Sequence, residues 1–457
     1  MHTIHRNRWG VLLSCCLLCL LAACGSNAPS SPSSSSNTPA ANGTTVTGQK
    51  PGTPPSSTAP STTSAVPPTQ TDCPAAGTAR ALVAAPLALG SHQNFVYQVN
   101  EGPYNAPTFG TLKRYDVVTG QKTEIVKLAH TVVSGGQVSN DGQWLLFVAL
   151  TGGQNKLQAV RVDGQGLQTL YCNSASLRLG SLQWSTNQRM IAFSLFDDNH
   201  RTESIELLNT GSGALQTLFT VSAAPGSGVN LSTWLDNTHL YLTNTPIDQP
   251  PDTLYILDTN KGAGQHMSDL TTVFHGPPSF GDFDSSFDGT QLFIDHSGCG
   301  MGGCNPPSDI IAMPATGGAQ HTIMHNASYN MAAVRVIGQH QLLVLIRNEV
   351  PNVTGIPPAD RSHNGLWIMN TDGTGLRRLT TDGANETSSL NNFSQYPWSN
   401  VSRDGSMYVL HIIKVLNAGT NALSDTLLVG NLHGGTPLTI ASIADGTTLD
   451  MVGWTTV

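Results

Sequence analysis

The chain has 457 residues, with 21 Lys and Arg against 29 Asp and Glu, a formal charge of -8. A protein that holds nucleic acid by bulk charge would be basic, so that class is excluded. Only 11% of residues are charged, while 46 are Gly and 27 Pro, which suits a turn-rich β protein and argues against helical bundles and coiled coils.

The N-terminus carries His5, Arg6 and Arg8, then an apolar stretch from Val11 to Leu21, then Leu21-Ala22-Ala23-Cys24. A run this short before small residues reads as a secretory signal rather than a membrane span. The LAAC string followed by Gly25-Ser26 resembles a bacterial lipobox. That resemblance implies a signal peptide over 1–23, cleavage before Cys24 and lipid on Cys24, with an ordinary signal peptide as the alternative. The expected location is the extracytoplasmic face of a cell membrane, periplasmic or extracellular, since each buried methylene adds about 0.8 kcal/mol of anchoring.

From Gly25 to Asp72 the chain is almost wholly Ser, Thr, Pro, Ala, Gly and Asn, with Lys50 and Asp72 its only charges. It has too little apolar surface to offset the entropy of ordering, so residues 24–72 are read as a lipidated Cys followed by a disordered tether. As a coil the tether reaches roughly 40 Å.

Residues 73–457 read as one domain of repeats. First halves pair two apolar strands around an Asp-Gly turn: VSNDGQWLLFVA from Val138, FDSSFDGTQLFID from Phe283 and VSRDGSMYVLHI from Val401. LQWSTNQRMIAFS from Leu182 and LSTWLDNTHLYLT from Leu231 are copies without that dipeptide. Second halves include LQAVRVDGQGLQTL from Leu157, DIIAMPATGGAQHTI from Asp309 and LWIMNTDGTGLRRLT from Leu366. Alternating apolar positions around such turns are hairpin signals, and four-stranded units repeated over this length indicate a β-propeller. LWIMNTDGTGLRRLT and VSRDGSMYVL resemble the repeat of TolB-like, WD-repeat-like propellers. That resemblance implies a protein-binding role.

Units starting near Val132, Leu177, Val229, Pro277, Met331 and Tyr396 give six blades. A seventh, Phe95 to Lys127, has outer strands in FVYQV, TLKRYDVV and EIVKL but no inner strand of its own. The C-terminal TLDMVGWTTV (Thr448–Val457) has the inner-strand pattern, so the expectation is an all-β, seven-bladed ring of four-stranded antiparallel sheets closed by the C-terminal strand. Six and eight blades are the alternatives.

Of eight cysteines, Cys15, Cys16 and Cys19 fall in the signal and Cys24 takes the lipid. Cys299 and Cys304 flank Gly-Met-Gly-Gly and are the favoured disulfide, which leaves Cys73 with Cys172. A competing reading makes Asp295, His296, Cys299 and Cys304 a zinc site. Asp282, Asp284 and Asp288 suggest a calcium loop only superficially, because the downstream bidentate Glu is missing; they are read as turn residues. Asp197, Asp198 and His200 are read as a solvated connection. Neither a resident metal nor a cofactor is expected.

Three long connections stand out as candidate binding loops: 102–110 with Tyr104 and Phe109, 297–308 with the Cys pair, and 348–364 with Asp360, Arg361 and His363. Two functions follow. The first is a non-enzymatic binding or scaffolding head for an envelope protein, peptide or glycan. The second is a propeller enzyme of the lactonase or lyase type, or a metal- or ligand-binding propeller, with polar residues at the central channel. No GxSxG nucleophile elbow is present, and the binding reading is preferred.

Overall fold

The structure, a computed structural model, describes residues 66–456 apart from 89, 104–105, 174–175, 223–227, 247–249, 277–278, 301–302, 349–359, 392–397, 418–421 and 445–446. At 297–300, 303–306, 417, 422 and 444 only the backbone is described. The signal, the proposed lipid site at Cys24 and most of the tether lie outside the described residues.

Seven antiparallel sheets, each of four strands, form the ring. Their inner strands are Thr447–Thr455 (blade 1), Thr131–Val138 (blade 2), Leu177–Trp184 (blade 3), Gly228–Trp234 (blade 4), Phe280–Ser285 (blade 5), Met331–Ile337 (blade 6) and Glu386–Ser389 (blade 7). Alternate side chains of a strand point to opposite faces, so each blade buries one apolar face against each neighbour. Between blades 2 and 3, for example, Leu146, Leu157, Trp184, Phe193 and Leu208 pack together, and every other joint has its own buried cluster. In blades 1 to 6 the ladder between the inner and second strands slips by one or two residues, as between Ser134 and Gln137 and between Phe280 and Asp282. A bulge there adds twist and re-aims the side chains beyond it.

Blade 1 is completed by the two ends of the domain. The C-terminal strand pairs along Asn94–Glu101, setting Trp454 opposite Phe95. Trp454 is fully buried, with its ring 5.2 Å from that of Phe95.

Two boundaries differ from the sequence reading. The inner strand of blade 7 begins at Glu386, not near Tyr396, which lies outside the described residues. Its ETSS segment has no apolar alternation to reveal it, and the VSRDG segment contributes only the bridge from Val401 to Tyr408. Ordered pairing also starts before Cys73. Gln70 donates to Leu167 O at 2.8 Å and its carbonyl accepts from Thr169 N at 2.8 Å, adding a short parallel bridge outside blade 2.

Each sheet has two ends. At one, the turn end, lie the tight turns joining first to second and third to fourth strands. At the other, the loop end, lie the second-to-third connections and the links between blades.

Candidate functional site

The turn end is built from one device. In Ser139-Asn140-Asp141-Gly142 the Asp141 carboxylate accepts from Ser139 Oγ at 2.5 Å and Gln143 N at 3.0 Å, while Ser139 Oγ accepts from Trp144 N at 2.9 Å. Ser286–Gly289 and Ser402–Gly405 repeat it. The turn at Ser185 keeps the same geometry without Asp-Gly: Asn187 replaces the aspartate, and Gln188 takes the left-handed position at φ 61°.

These turns interlock around the ring. Asn140 Nδ2 donates to Thr186 O at 3.1 Å, and Asn187 N donates to Asn237 Oδ1 at 2.9 Å. From blade 7, Arg403 donates to Ser139 O, Asn140 O and Trp454 O, tying blades 7, 1 and 2 together. Its guanidinium lies over Trp398, which stacks on Phe287 of blade 5.

The N-terminal strap, residues 66–93, runs along the outside of blade 2 from the turn end, where Gln70 bridges Gln168, to the loop end at Cys172, and then returns to the turns at Thr210 and Gln143. Cys73 and Cys172 form a disulfide, with Cα atoms 5.7 Å apart. Beyond it Arg80 N bonds Leu170 O, Leu82 N bonds Thr210 O, and Leu87 N bonds Gln143 Oε1.

The loop end is irregular. The 102–110 and 348–364 connections join second to third strands at this end, on blades 1 and 6, whereas 297–308, expected as a loop, is mostly ladder: Ser297–Gly300 pair with Gly303–Ser308 in blade 5. The hairpins of blade 5 (Gln291–Gly300 with Gly303–Pro314) and blade 7 (Met407–Asn417 with Ala422–Asn431) are longer than the eight residues of the strands in blade 2 and flank blade 6.

The sequence-derived residues do not form one cluster. Tyr104 lies outside the described residues. Phe109, on blade 1, receives Lys127 Nζ 4.0 Å from its ring centre. Asp360, Arg361 and His363 sit together on blade 6. Asp360 accepts from Ser362 N at 2.8 Å, and Arg361 donates to the carbonyls of Ala384 and Glu386. His363 stacks on Tyr329 at 3.8 Å and, more distantly, on Trp367, over which Arg378 lies. Backbone pairing sets Cys299 opposite Cys304, but their side chains lie outside the description.

Sequence reasoning missed a polar seam at the joint of blades 5 and 6. Asp282 and Asp284 are not turn residues; only Asp288 is. Past the bulge in the inner strand of blade 5 they turn toward blade 6. Asp282 pairs with Arg335, whose Nη2 donates to Asn391 O at 2.9 Å, while Asp284 accepts from Val336 N at 2.8 Å. Burial raises Asp284 to about 7, against the lowering effects of Arg335 and the Val336 N–H. Asp295 stands directly across from Asp282 and is 0% exposed, and among the described residues neither carboxyl oxygen has a hydrogen-bond partner. Burial first, then the charge of Asp282, pushes its carboxyl well above the usual range, with Arg347 opposing. The signal was available in FGDFDS, where aspartates occupy alternate positions of a strand that is apolar on its other face.

Strand geometry keeps Asp295 and His296 from sharing one zinc ion, and the Cys299 and Cys304 side chains lie outside the described residues. Asp295 faces blade 6 with Phe293, whereas His296, the next residue, faces blade 4, with its ring 5.9 Å from that of Phe274. Adjacent strand residues cannot converge on one ion. Among the described residues no group of three His, Cys, Asp or Glu could hold a metal.

Other acid–base groups are dispersed. His92–Asp116, His200–Asp197, His239–Asp236, His325–Asp309 and His411–Asp425 are pairs on five different blades. Asp197 accepts the backbone N–H groups of Asn199 and His200, and Asp198 pairs with Arg178, so both serve their own connection. Glu203, buried and raised to about 8 mainly by desolvation, accepts the Val229 N–H across the joint of blades 3 and 4.

The chain is a closed seven-bladed β-propeller. No known family's sequence profile matches it, and no curated protein matches its sequence. Similar solved structures include TolB from Acinetobacter baumannii, at 12% identity and TM-score 0.40, covering 63% of each chain. A structure from a study of two prolyl endopeptidases shares 11% identity at TM-score 0.52, over 82% of this chain and 50% of that one. The propeller domain of the Trilobed protease from Pyrococcus furiosus shares 10% at TM-score 0.48, over 80% of this chain and 96% of that one. This propeller thus spans under two thirds of the TolB and prolyl endopeptidase chains, and its likeness to them is one of fold.

Proposed function

We propose that this propeller is a lipid-tethered, extracytoplasmic binding module whose loop end engages an envelope protein, peptide or glycan. The observation that carries the reading is the contrast between the ends. One is spent on closure by interlocked turns, while the other carries the 102–110 and 348–364 connections of blades 1 and 6 and the long hairpin of blade 5. Dispersal of the His–Asp pairs over five blades favours binding over lactonase- or lyase-type catalysis, which needs acid and base groups converging on one substrate. The LAAC sequence supports anchoring through Cys24.

The test is crosslinked pull-down of the intact protein from envelope membranes, wild type beside a variant with 348–364 replaced by Asn-Gly. A discrete envelope species captured by the wild type and lost with the loop is expected. Equal capture by both would remove blade 6 from the reading. Cys24→Ala should move the protein out of the membrane fraction or leave an uncleaved precursor; unchanged fractionation with unchanged lipid labelling would remove the anchor.

A further inference from the structure

At the turn end the central channel meets Trp398. Its indole Nε1 donates to Asn140 Oδ1 of blade 2 at 3.1 Å, its carbonyl accepts from Trp454 N of blade 1 at 2.9 Å, and its ring stacks on Phe287 of blade 5 at 6.0 Å. Blades 2 and 5 stand three places apart in a ring of seven, almost opposite one another. A side chain that touches the turns of both lies across the channel, so one indole spans its turn-end mouth. The Arg403 guanidinium of blade 7 lies 5.4 Å from that ring.

The loop-end half of the channel is hollow. An inner strand gives both faces to neighbouring blades and one edge to its second strand, so a residue exposed within it opens on the channel. Thr448, Ser134, Asn230 and Gly281, of blades 1, 2, 4 and 5, are exposed, and Ala332 and Thr387, of blades 6 and 7, are half-buried. They lie one to three residues in from the loop end, a depth of roughly 3–10 Å. Nearer the turn end the strands close: residues 137–138, 182–184, 233–234, 336–337 and 452–455 are buried.

The wall of this hollow is small and polar. Ser134, Thr387 and Thr448 offer hydroxyls and Asn230 an amide, and the channel-facing edges of the inner strands present backbone N–H and C=O groups. The charged side chains that reach solvent on these strands, Arg178, Glu386 and Asp450, are each answered within the protein. Arg178 is bidentate to Asp198 at 2.8 and 2.9 Å, and Glu386 faces Lys414 at 3.3 Å. Asp450 accepts from Gln98 Nε2 at 2.8 Å, and burial raises its carboxyl. A peptide terminus would carry an ammonium or a carboxylate past strands that hold no free counter-charge, and burying it unpaired is costly. A neutral sugar ring brings hydroxyls, each able to donate and to accept.

We propose that the channel is a well, closed at the turn end by Trp398 and open at the loop end, that receives the uncharged end of a glycan chain. A chain that enters cannot leave at the far side, so the well reads an end and does not thread a strand. The proposal rests on the binding reading for the loop end as the face that meets partners, and it narrows the partner to a neutral glycan.

The experiment is isothermal titration of the full chain with chitotetraose, maltotetraose, cellotetraose and mannotetraose, beside tetragalacturonate and uncapped tetraalanine as charged probes. At least one neutral sugar should bind, and both charged probes at least about tenfold more weakly. Ser134→Phe and Asn230→Phe, which fill the well from two blades, should abolish binding with melting unchanged. Should neither fold, the Ser134→Ala, Asn230→Ala double variant removes the polar groups without adding bulk and should weaken binding about tenfold or more. No binding by any neutral sugar, equal binding by a charged probe, or unchanged binding in a folded well variant overturns the proposal. A longer polymer of the bound linkage should take up a fixed number of heads per chain; a number rising with length would show a groove rather than a closed well and overturn it too. A protein captured through loop 348–364 with no sugar bound would sink the well and leave the binding reading standing. Equal capture with and without that loop would remove blade 6 from that reading and leave these titrations intact.

Discussion

The two ends of the ring solve different problems with the same strands. At the turn end, Ser139, Ser286 and Ser402 each place a hydroxyl and a neighbouring aspartate to close the turn, and Arg403 then gathers three blades. At the loop end connections range from the two residues of the Gly152-Gly153 turn to the seventeen or so of 348–364. Turns that must meet around one channel are constrained in length and direction, whereas loops that leave it are not. Closure is therefore repetitive, and the surface available for recognition is individual to each blade.

The sharpest way to break this contrast is to remove closure alone. Trp454→Ala should cost about 3–5 kcal/mol, the usual range for emptying a fully buried aromatic site, and deletion of Thr448–Val457 should leave an open sheet edge and an aggregating head. Melting and solubility measurements check both; unchanged values would mean that blade 1 holds without its inner strand. A smaller loss is expected from Cys172→Ser, about 2–4 kcal/mol, with early protease cleavage between Cys73 and Leu87 as the strap leaves blade 2. Strap cleavage no faster than in the wild type would show that hydrogen bonds to Leu170 and Thr210 suffice. The smallest effect has the opposite sign. Gln188→Gly relieves a left-handed residue in a turn that otherwise matches its neighbours, so a gain of under about 1 kcal/mol is expected in urea unfolding. A loss would mean that the Gln188 side chain itself supports the turn.

The turn end was the legible half. Asp-Gly pairs flanked by alternating apolar residues identified the hairpins, and the lone GWTTV strand identified the closing partner of blade 1, so seven blades could be counted from sequence. Copies that had lost Asp-Gly were still turns, because Asn187 can accept the same bonds as an aspartate. Less was visible where side chains act between blades. Asp282 and Asp284 read as turn residues because their strand faces a joint that is polar only at that point, and a single strand does not announce its neighbour. Glu386–Ser389 passed unnoticed since a strand lined by Thr and Ser lacks apolar alternation, although Ser388 is fully buried and bonded to Asp382. The pairing of Cys73 with Cys172 was reached by counting, whereas the strap it fastens had no sequence signal: its backbone bonds go to distant blades.

Placing one photo-crosslinker at Asp360 on the loop end and another at Thr186 on the turn end of the membrane-anchored protein tests the division of labour most directly. Both positions are exposed, and Thr186 joins the interlock only through its carbonyl, so neither should disturb the ring. Crosslinks to an envelope partner from Asp360 and none from Thr186 are predicted; crosslinks confined to Thr186 would contradict the account.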